Sequence, residues 1–388
     1  MLKHEGEAHT TRHIPQRVTH ELWALAGGRC QFRGCNKLLY RSPVTQERVN
    51  NAQRAHIYSY SADGARGRGL YARRTKGLNS TKNLMLMCHG CHTLIDRDIL
   101  GEKYSAQLLQ EWKREHEIRI ERNTGVHPKR MSHIVLYGSR INEQDSPLQE
   151  DEATGAIFPG RYPAENHAIN LSMKLEHEDN TPEFWVTEAT HLRNSFDRLV
   201  ARPILEGRAS HFSLFALAGI PLLVLLGSLF TDKRAVDVYQ PRRNPRGWRW
   251  LRRATQKFRF TLNRPKQARG EPVLVFSLSG KIDYARVHAA LGRQAAIWEL
   301  TIDEPYNDFL RSRDQLALFC TSVRQLMEEI NRRHGRKPVH IFPAMPVACA
   351  IELGRLRMPQ SDPPWILYNQ NNKLGGFTTA LTIGDQTP

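Results

Sequence analysis

The sequence predicts an α/β protein of two domains, on three observations. At 388 residues the chain exceeds what one ordinary core holds. Its first third gathers four cysteines in two close pairs together with most of the net positive charge. Beyond about residue 165, apolar strand-like runs alternate with amphipathic helical ones, the pattern of a largely parallel sheet. Hydrophobic residues at 40% and charged residues at 24% exclude a disordered chain. The formal net charge is +17, of which residues 1–130 supply +11 from 23 Lys+Arg against 12 Asp+Glu. Such an excess points to a polyanionic partner, and nucleic acid is the obvious one.

Taken in order, PQRVTHELWALAG reads as a short amphipathic helix, and GRCQFRGCNKLLY as a cysteine-bearing hairpin turning at Gly28 and Gly34. RVNNAQRAHIYSYS reads as a strand, ADGARGRGLYARRTKG as a mobile basic loop, and NLMLMCHGCHTLIDRD as a strand or turn entering a helix. SAQLLQEWKREHEIRIERN, with Leu108, Leu109, Trp112, His116 and Ile120 at helical spacing, closes a first domain over 1–122. Residues 123–130 read as a linker, and 131–388 as the second domain, opening with a long surface loop over 141–165. Its expected strands are HAINLSMKLE, SHFSLFALA, AVDVYQ, FRFTLN, PVLVFSLSG, AAIWELTI, PVHIFPA and PWILYN. FWVTEATHLRNSFDRLV, LLVLLGSLF and RDQLALFCTSVRQLMEEINRRH are the expected helices among them. An internal echo divides this domain in two: Phe215 stands twelve residues before Gly227, and Phe342 twelve before Gly354, each interval holding a strand end, a Pro-containing turn and an apolar helix.

Residues 212–230 run nineteen positions without a charge, long enough to cross a bilayer. The break at Gly219-Ile220-Pro221 favours a buried strand, a turn and a helix with Pro221 in its first turn, so no membrane association is expected. MLKHEGEAHTTRHIP has no apolar core and reads as no secretory signal. Six cysteines are too sparse for a disulfide scaffold and fit metal binding in a reducing, cytoplasmic setting. Cys320 and Cys349 stand alone in apolar surroundings and read as core.

Cys30-x4-Cys35 and Cys88-x2-Cys91 supply four thiolates in two knuckles, the donor set of a structural zinc ion. A site filled by four thiolates is saturated and does not activate water, which leaves His89 and His92 for other work.

Ala55-His56-Ile57, then Asn83, then Cys88-x2-Cys91-His92 with Asp96 four further on, resembles the HNH nuclease signature of the ββα-metal fold, and LLQEWKREHE after it is similar to that family's zinc-knuckle branch. The resemblance implies that His56 is the general base, a role that suits an imidazole substantially neutral near pH 7. It implies that Asn83 orients the loop bearing His56. It also implies that His92 and Asp96, one helical turn apart, face a catalytic Mg²⁺ or similar divalent cation. Asp98 is the alternative to Asp96, and His89 reads as solvated or phosphate-touching. Many family members carry Asp or His immediately before the base, where this sequence has Ala55, so a thin metal shell is expected. Arg66, Arg68, Arg73, Arg74 and Lys76 lie between His56 and Asn83 and are expected to grip the phosphates of double-stranded DNA.

SHFSLFALAGIPLLVLLGSLFTDK, VYQPRRNPRGWRW and VHIFPAMPVACAIELGRLRMP resemble the SAVED domain, a sensor of cyclic oligonucleotides built from two fused CARF-like (Rossmann-like) α/β halves. HNH fused to SAVED looks like a CBASS anti-phage effector, which implies a bacterial nuclease switched on by a cyclic di- or trinucleotide through homo-oligomerisation. Arg242, Ser279 and Lys281 are candidate phosphate partners, with Phe342, Ala344 and Met345 walling a base. Three rivals remain open on the sequence: a modification-dependent restriction nuclease, a non-catalytic zinc DNA-binding regulator, and a membrane-tethered protein.

Overall fold

The computed structural model describes residues 13–71, 77–139, 148–173, 181–251, 259–292, 294–371 and 375–384. The chain divides into two compact units, Met1–His127 and Pro128–Pro388.

In the first unit, helix α1 (Gln16–Ala26) buries Leu22 and Ala26 and stops at Gly27 and Gly28. These two hold φ of +58° and +65°, where glycine alone is unstrained. The chain turns through the first cysteine pair, then through a two-stranded ribbon bridged antiparallel between Arg41 and Arg48. Strand β1 (Ala52–His56) pairs antiparallel with β2 (Leu84–Cys88), Ala52 opposite Cys88 and His56 opposite Leu84. Leu84 to Met87 are all buried, which is why β2 is continuously apolar rather than alternating. Helix α2 (His89–Arg97) starts directly at the end of β2 and sinks Cys91 and Ile95 into the core. Helix α3 (Ala106–Thr124), its first turn capped by Ser105 Oγ accepting from Leu108 N–H, closes the unit with Leu109 and His116 buried.

The second unit holds two sheets. In the first half, β3 (Met131–Gly138), β4 (Tyr162–Pro163), β6 (Phe212–Leu217) and β7 (Val236–Val238) run parallel in the order β4-β3-β6-β7, with β5 (Ile169–Asn170) also paired to β3. Helices α4 (Glu150–Ile157), α5 (Pro182–Phe196), α6 (Arg202–Leu205) and α7 (Ile220–Phe230) belong to this half. A small hairpin of β8 (Arg242–Arg243) and β9 (Arg246–Gly247) follows. The second sheet has the order β10-β12-β11-β13-β14-β15, from β10 (Thr261–Asn263), β11 (Glu271–Ser277), β12 (Ala295–Thr301), β13 (Val339–Ala344), β14 (Trp365–Asn371) and β15 (Gly376–Ile383). Its four central strands are parallel and both edges antiparallel. Helices α8 (Tyr284–Leu291), α9 (Arg313–His334) and α10 (Val347–Leu356) make the crossovers.

The internal echo has a physical counterpart where α7 crosses α10. A Cβ added to Gly227 would stand 1.9 Å from the Ile351 carbonyl oxygen, and one added to Gly354 would stand 1.9 Å from the Val224 carbonyl oxygen. Each glycine meets the carbonyl three residues before the other, so the crossing is a local two-fold and only glycine permits it.

Several expectations are corrected. The 141–165 loop holds α4 and β4, while residues 140–147 lie outside the described residues. Among the described residues of HAINLSMKLE, 167–173, the strand is Ile169–Asn170. Strands β3 and β15 and helix α8 have no counterpart in the sequence reading. The uncharged run 212–230 is β6 plus the eleven-residue α7, about 16 Å long at 1.5 Å per residue. Among the described residues no helix is long and apolar enough to cross a membrane.

Candidate active site and metal centre

The knuckle cysteines converge from three places: Cys30 and Cys35 flank a turn, Cys88 ends β2, and Cys91 lies in the first turn of α2. Their four Sγ atoms lie within 4.8 Å of one another, and Cys35 Sγ stands 3.9 Å from Cys88 Sγ. Thiolates on a tetrahedral zinc at 2.3 Å are about 3.8 Å apart, so the donor set and spacing fit that ion. Burial pushes the Cys30 thiol up to about 12, so the charge of a cation is what stabilises a thiolate there.

His56 ends β1, half-buried, with Nε2 2.9 Å from Asn79 Oδ1. An amide oxygen has no proton to give, so Nε2 carries the hydrogen and Nδ1 keeps the lone pair. Burial lowers the His56 pKa below the usual imidazole value, opposed by the Asn79 hydrogen bond and the negative charge of Asp96. The ring is therefore neutral at pH 7 and able to accept a proton. Asn83 is buried and holds the chain on either side of the base: its Oδ1 accepts from Tyr58 N–H at 2.9 Å, while Nδ2 donates to Tyr58 O and Leu78 O at 3.0 and 2.9 Å.

One turn apart on α2, His92 Nε2 and Asp96 Oδ2 stand 3.1 Å from each other, both partly exposed. Adjacent ligands of an octahedral cation at about 2.1 Å are about 3.0 Å apart, so the pair fits one edge of such a shell. Among the described residues the four cysteines are the only His/Cys/Asp/Glu group of three or more close enough to share an ion, so His92 and Asp96 have no third protein donor of that kind. Ala55, where a further ligand would come from, is fully buried.

Three expected roles change. Arg66 is no phosphate grip. Its side chain is 3% exposed, and its guanidinium donates to the carbonyls of Ile57 and Ile95 at 2.6 Å and of His56 at 3.3 Å, with Asp96 at 3.8 Å. It is an internal strut tying the base strand to α2. Asp98 is not a spare ligand, because its carboxylate accepts from the backbone N–H groups of Glu102, Lys103 and Tyr104. Arg68 Nε donates to Tyr60 O at 3.2 Å, and Arg73, Arg74 and Lys76 lie outside the described residues. Asn79 is the residue the sequence reading missed, since a lone asparagine four positions before Asn83 forms no motif.

In the second unit, Ser279 N–H and Leu278 N–H both donate to Ala344 O, joining the loops after β11 and β13, where strand order reverses. Lys281 is exposed at a recess of about 570 Å³ shared with Tyr284 and Glu299. Phe342 is a correction: its fully buried ring stacks on Tyr368 at 4.1 Å and meets Phe377 edge-on, so it is core and walls no ligand. Met345 is buried as well, and Ala344 is half-buried. Arg242 is the anomaly. It is 9% exposed, yet its Nε and Nη1 have no hydrogen-bond partner among the described residues. Two residues before it, Gln240 Oε1 accepts from Ala348 N–H at the start of α10.

Two family models match the chain: HNH endonuclease over residues 30–101, and the SMODS-associated and fused to various effectors sensor domain, SAVED, over residues 192–383. The chain carries an HNH endonuclease domain followed by a SAVED sensor domain. The HNH match contains both cysteine pairs, His56, Asn83, His92 and Asp96; the SAVED match contains the α7–α10 crossing and Arg242. No curated protein matches the sequence at a significant level. Among solved structures, the Acinetobacter baumannii Cap4 SAVED/CARF-domain containing receptor with the cyclic trinucleotide 2′3′3′-cAAA is similar at 11% identity and TM-score 0.44, over 71% of this chain and 56% of that one. The same receptor with 3′3′3′-cAAA matches at 11% and TM-score 0.44, over 76% and 66%. The Moraxella osloensis Cap4 receptor matches at 11% and TM-score 0.38, over 76% and 65%. The chain thus spans less than two thirds of each of these three receptors, and the two family matches carry the assignment by themselves.

Proposed function

We propose that the protein is a divalent-cation-dependent endonuclease for double-stranded DNA, switched on by a cyclic di- or trinucleotide bound to its SAVED domain, as a CBASS-type effector of antiviral defence. The observation that carries the reading is geometric: His56, its Nε2 held by Asn79, ends a strand that Arg66 ties to the helix on which His92 and Asp96 stand 3.1 Å apart. His56 Nδ1 takes the proton of an attacking water, while Asn79 and Asn83 keep the ring and its loop in place. The oxygen so activated attacks phosphorus as the P–O3′ bond breaks on the opposite side. His92 Nε2 and Asp96 Oδ2 would hold a divalent cation, which would supply charge stabilisation for the phosphate and the leaving oxygen. Arg66 fixes the spacing between base strand and helix without touching DNA.

In the SAVED domain, Arg242 is the anchor of the activator. A buried guanidinium with two unpaired donors is costly, and a phosphodiester supplies the missing acceptors. Ser279 and Lys281 are further phosphate partners at the strand-order reversal. Ligand binding assembles copies of the chain into the cutting form. One zinc ion on the four cysteines would hold the fold of the nuclease domain.

The test is incubation of purified protein and duplex DNA with Mg²⁺ and a panel of cyclic di- and trinucleotides. One activator is expected to trigger cleavage, and Arg242→Ala to weaken that activator's binding about 100-fold by calorimetry. Cleavage that ignores every cyclic nucleotide sinks the gated reading.

A further inference from the structure

At the other end of α2 from Asp96, a recess of about 630 Å³ opens between the Arg41–Arg48 ribbon, the start of β1 and the first residues of α2. Lys37, Arg41, Asn51, Gln53 and His89 line it, and all five are exposed. None of their side chains has a hydrogen-bond or ion-pair partner among the described residues, although the ribbon around them is well tied by Ser42, Thr45 and Gln46. Two cations and two amides left without internal work, on a rigid floor beside the zinc knuckle, form a surface for an anionic chain whose neutral groups can also be read.

Geometry joins this recess to the reaction. At 100° per residue, His89, His92 and Asp96 project from one face of α2. The seven steps from His89 to Asp96 span about 10 Å at 1.5 Å each. With α2 laid along the duplex axis, that is about three nucleotides at about 3.4 Å of rise per step.

We infer that the recess is a DNA subsite, holding the strand about three nucleotides from the scissile phosphate, with Lys37 and Arg41 on its phosphates and Asn51 and Gln53 on a base edge. The inference rests on the DNA-endonuclease reading above. It adds to it a base preference at a position remote from the cut. Asparagine and glutamine pair with adenine through two hydrogen bonds, and the paired amides here offer that chemistry. Charge complementarity selects the occupant, since this part of the chain carries most of the net positive charge and the five residues lining the recess include no carboxylate.

Two measurements test it on the full-length, zinc-loaded protein. First, a 30-base-pair duplex is titrated by fluorescence anisotropy against His56→Ala protein, which does not cut, over a range of salt. Adding Lys37→Ala and Arg41→Ala is expected to flatten the slope of log affinity against log salt by about 1.8, two phosphates' worth. Second, random-sequence DNA is cut with Mg²⁺ and the full panel of cyclic di- and trinucleotides present, and the product ends are sequenced. The wild type is expected to show a base bias about three positions from the break, which Asn51→Ala with Gln53→Ala removes. An unchanged salt slope, or a wild-type profile flat at that distance, overturns the subsite. A wild type that binds with the expected slope change but never cuts overturns the nuclease reading and leaves the subsite standing.

Discussion

The nuclease unit and the SAVED unit differ in where their chemistry is written. In the first, His56, Asn83, His92, Asp96 and the four cysteines stand at fixed spacings on two short strands and one helix, because metal and phosphate chemistry needs particular atoms at particular distances. In the second, the loops after β11 and β13 meet only because the strand order reverses there, and Arg242 arrives from a hairpin outside both sheets. The proposed catalytic centre is thus recorded in residue spacing, whereas the proposed activator site is recorded in topology.

Cys88→Ser probes the first half of that contrast most severely. It removes one of four thiols that fit a zinc ion, and the nuclease unit is expected to lose both metal binding and cooperative folding, seen by metal analysis and circular dichroism. A folded, zinc-loaded variant would show that the knuckle does not hold the unit together. Next in size, His56→Ala is expected to lower the cleavage rate about 10³-fold while zinc content and activator binding stay as they were. Because burial lowers the His56 pKa, wild-type cleavage should persist on the acid side of the usual imidazole midpoint and fall only at lower pH; a fall centred above pH 7 would contradict the assignment.

On the sensor side, Gly227→Ala forces a methyl group onto a carbonyl oxygen at 1.9 Å. It should cost about 3 kcal/mol, read as a lower melting temperature of the SAVED unit, with Gly354→Ala behaving alike. Unequal costs would break the local two-fold. Arg66→Ala should destabilise the nuclease unit by about 2 kcal/mol, since three carbonyls lose their donor, and Arg66→Lys should restore little of it. A variant of unchanged stability with weakened DNA binding would return Arg66 to the phosphate role.

The smallest effect concerns Glu188, buried on α5 with Tyr137 O–H donating to its Oε2 at 3.1 Å and no partner for Oε1 among the described residues. Burial pushes its pKa up from 4.5 to about 7. Between those values the folded chain keeps a proton the unfolded chain has released, so the contribution is present below pH 4.5 and lost as pH rises to 7. Roughly 2 kcal/mol should disappear over that window. Glu188→Gln should flatten it in denaturant titrations at pH 5 and 8; an identical pH dependence would show that Glu188 does not hold that proton.

The cysteine pairs and the Ala55–Asp96 spacing were legible because each residue type brings its own chemistry. Arg66 misled for the opposite reason: an arginine in a Gly/Arg-rich run looks solvated, and only the fold reveals three carbonyls converging on it. Phe342 misled likewise, since an aromatic at a strand end serves a core or a ligand equally well, and Tyr368, its stacking partner, is remote in sequence. Strand β3, MSHIVLYG, was missed because it follows the basic residues Lys129 and Arg130 and opens on Met, Ser and His before a short apolar run, though it is the strand on which the first sheet is built.

The glycine pair where α7 meets α10 carries a mechanical consequence. Main chain rests on main chain there, with no side chain between to flex, so the crossing resists sliding in either direction. Any displacement between the two helices must therefore open that contact or carry both main chains along together.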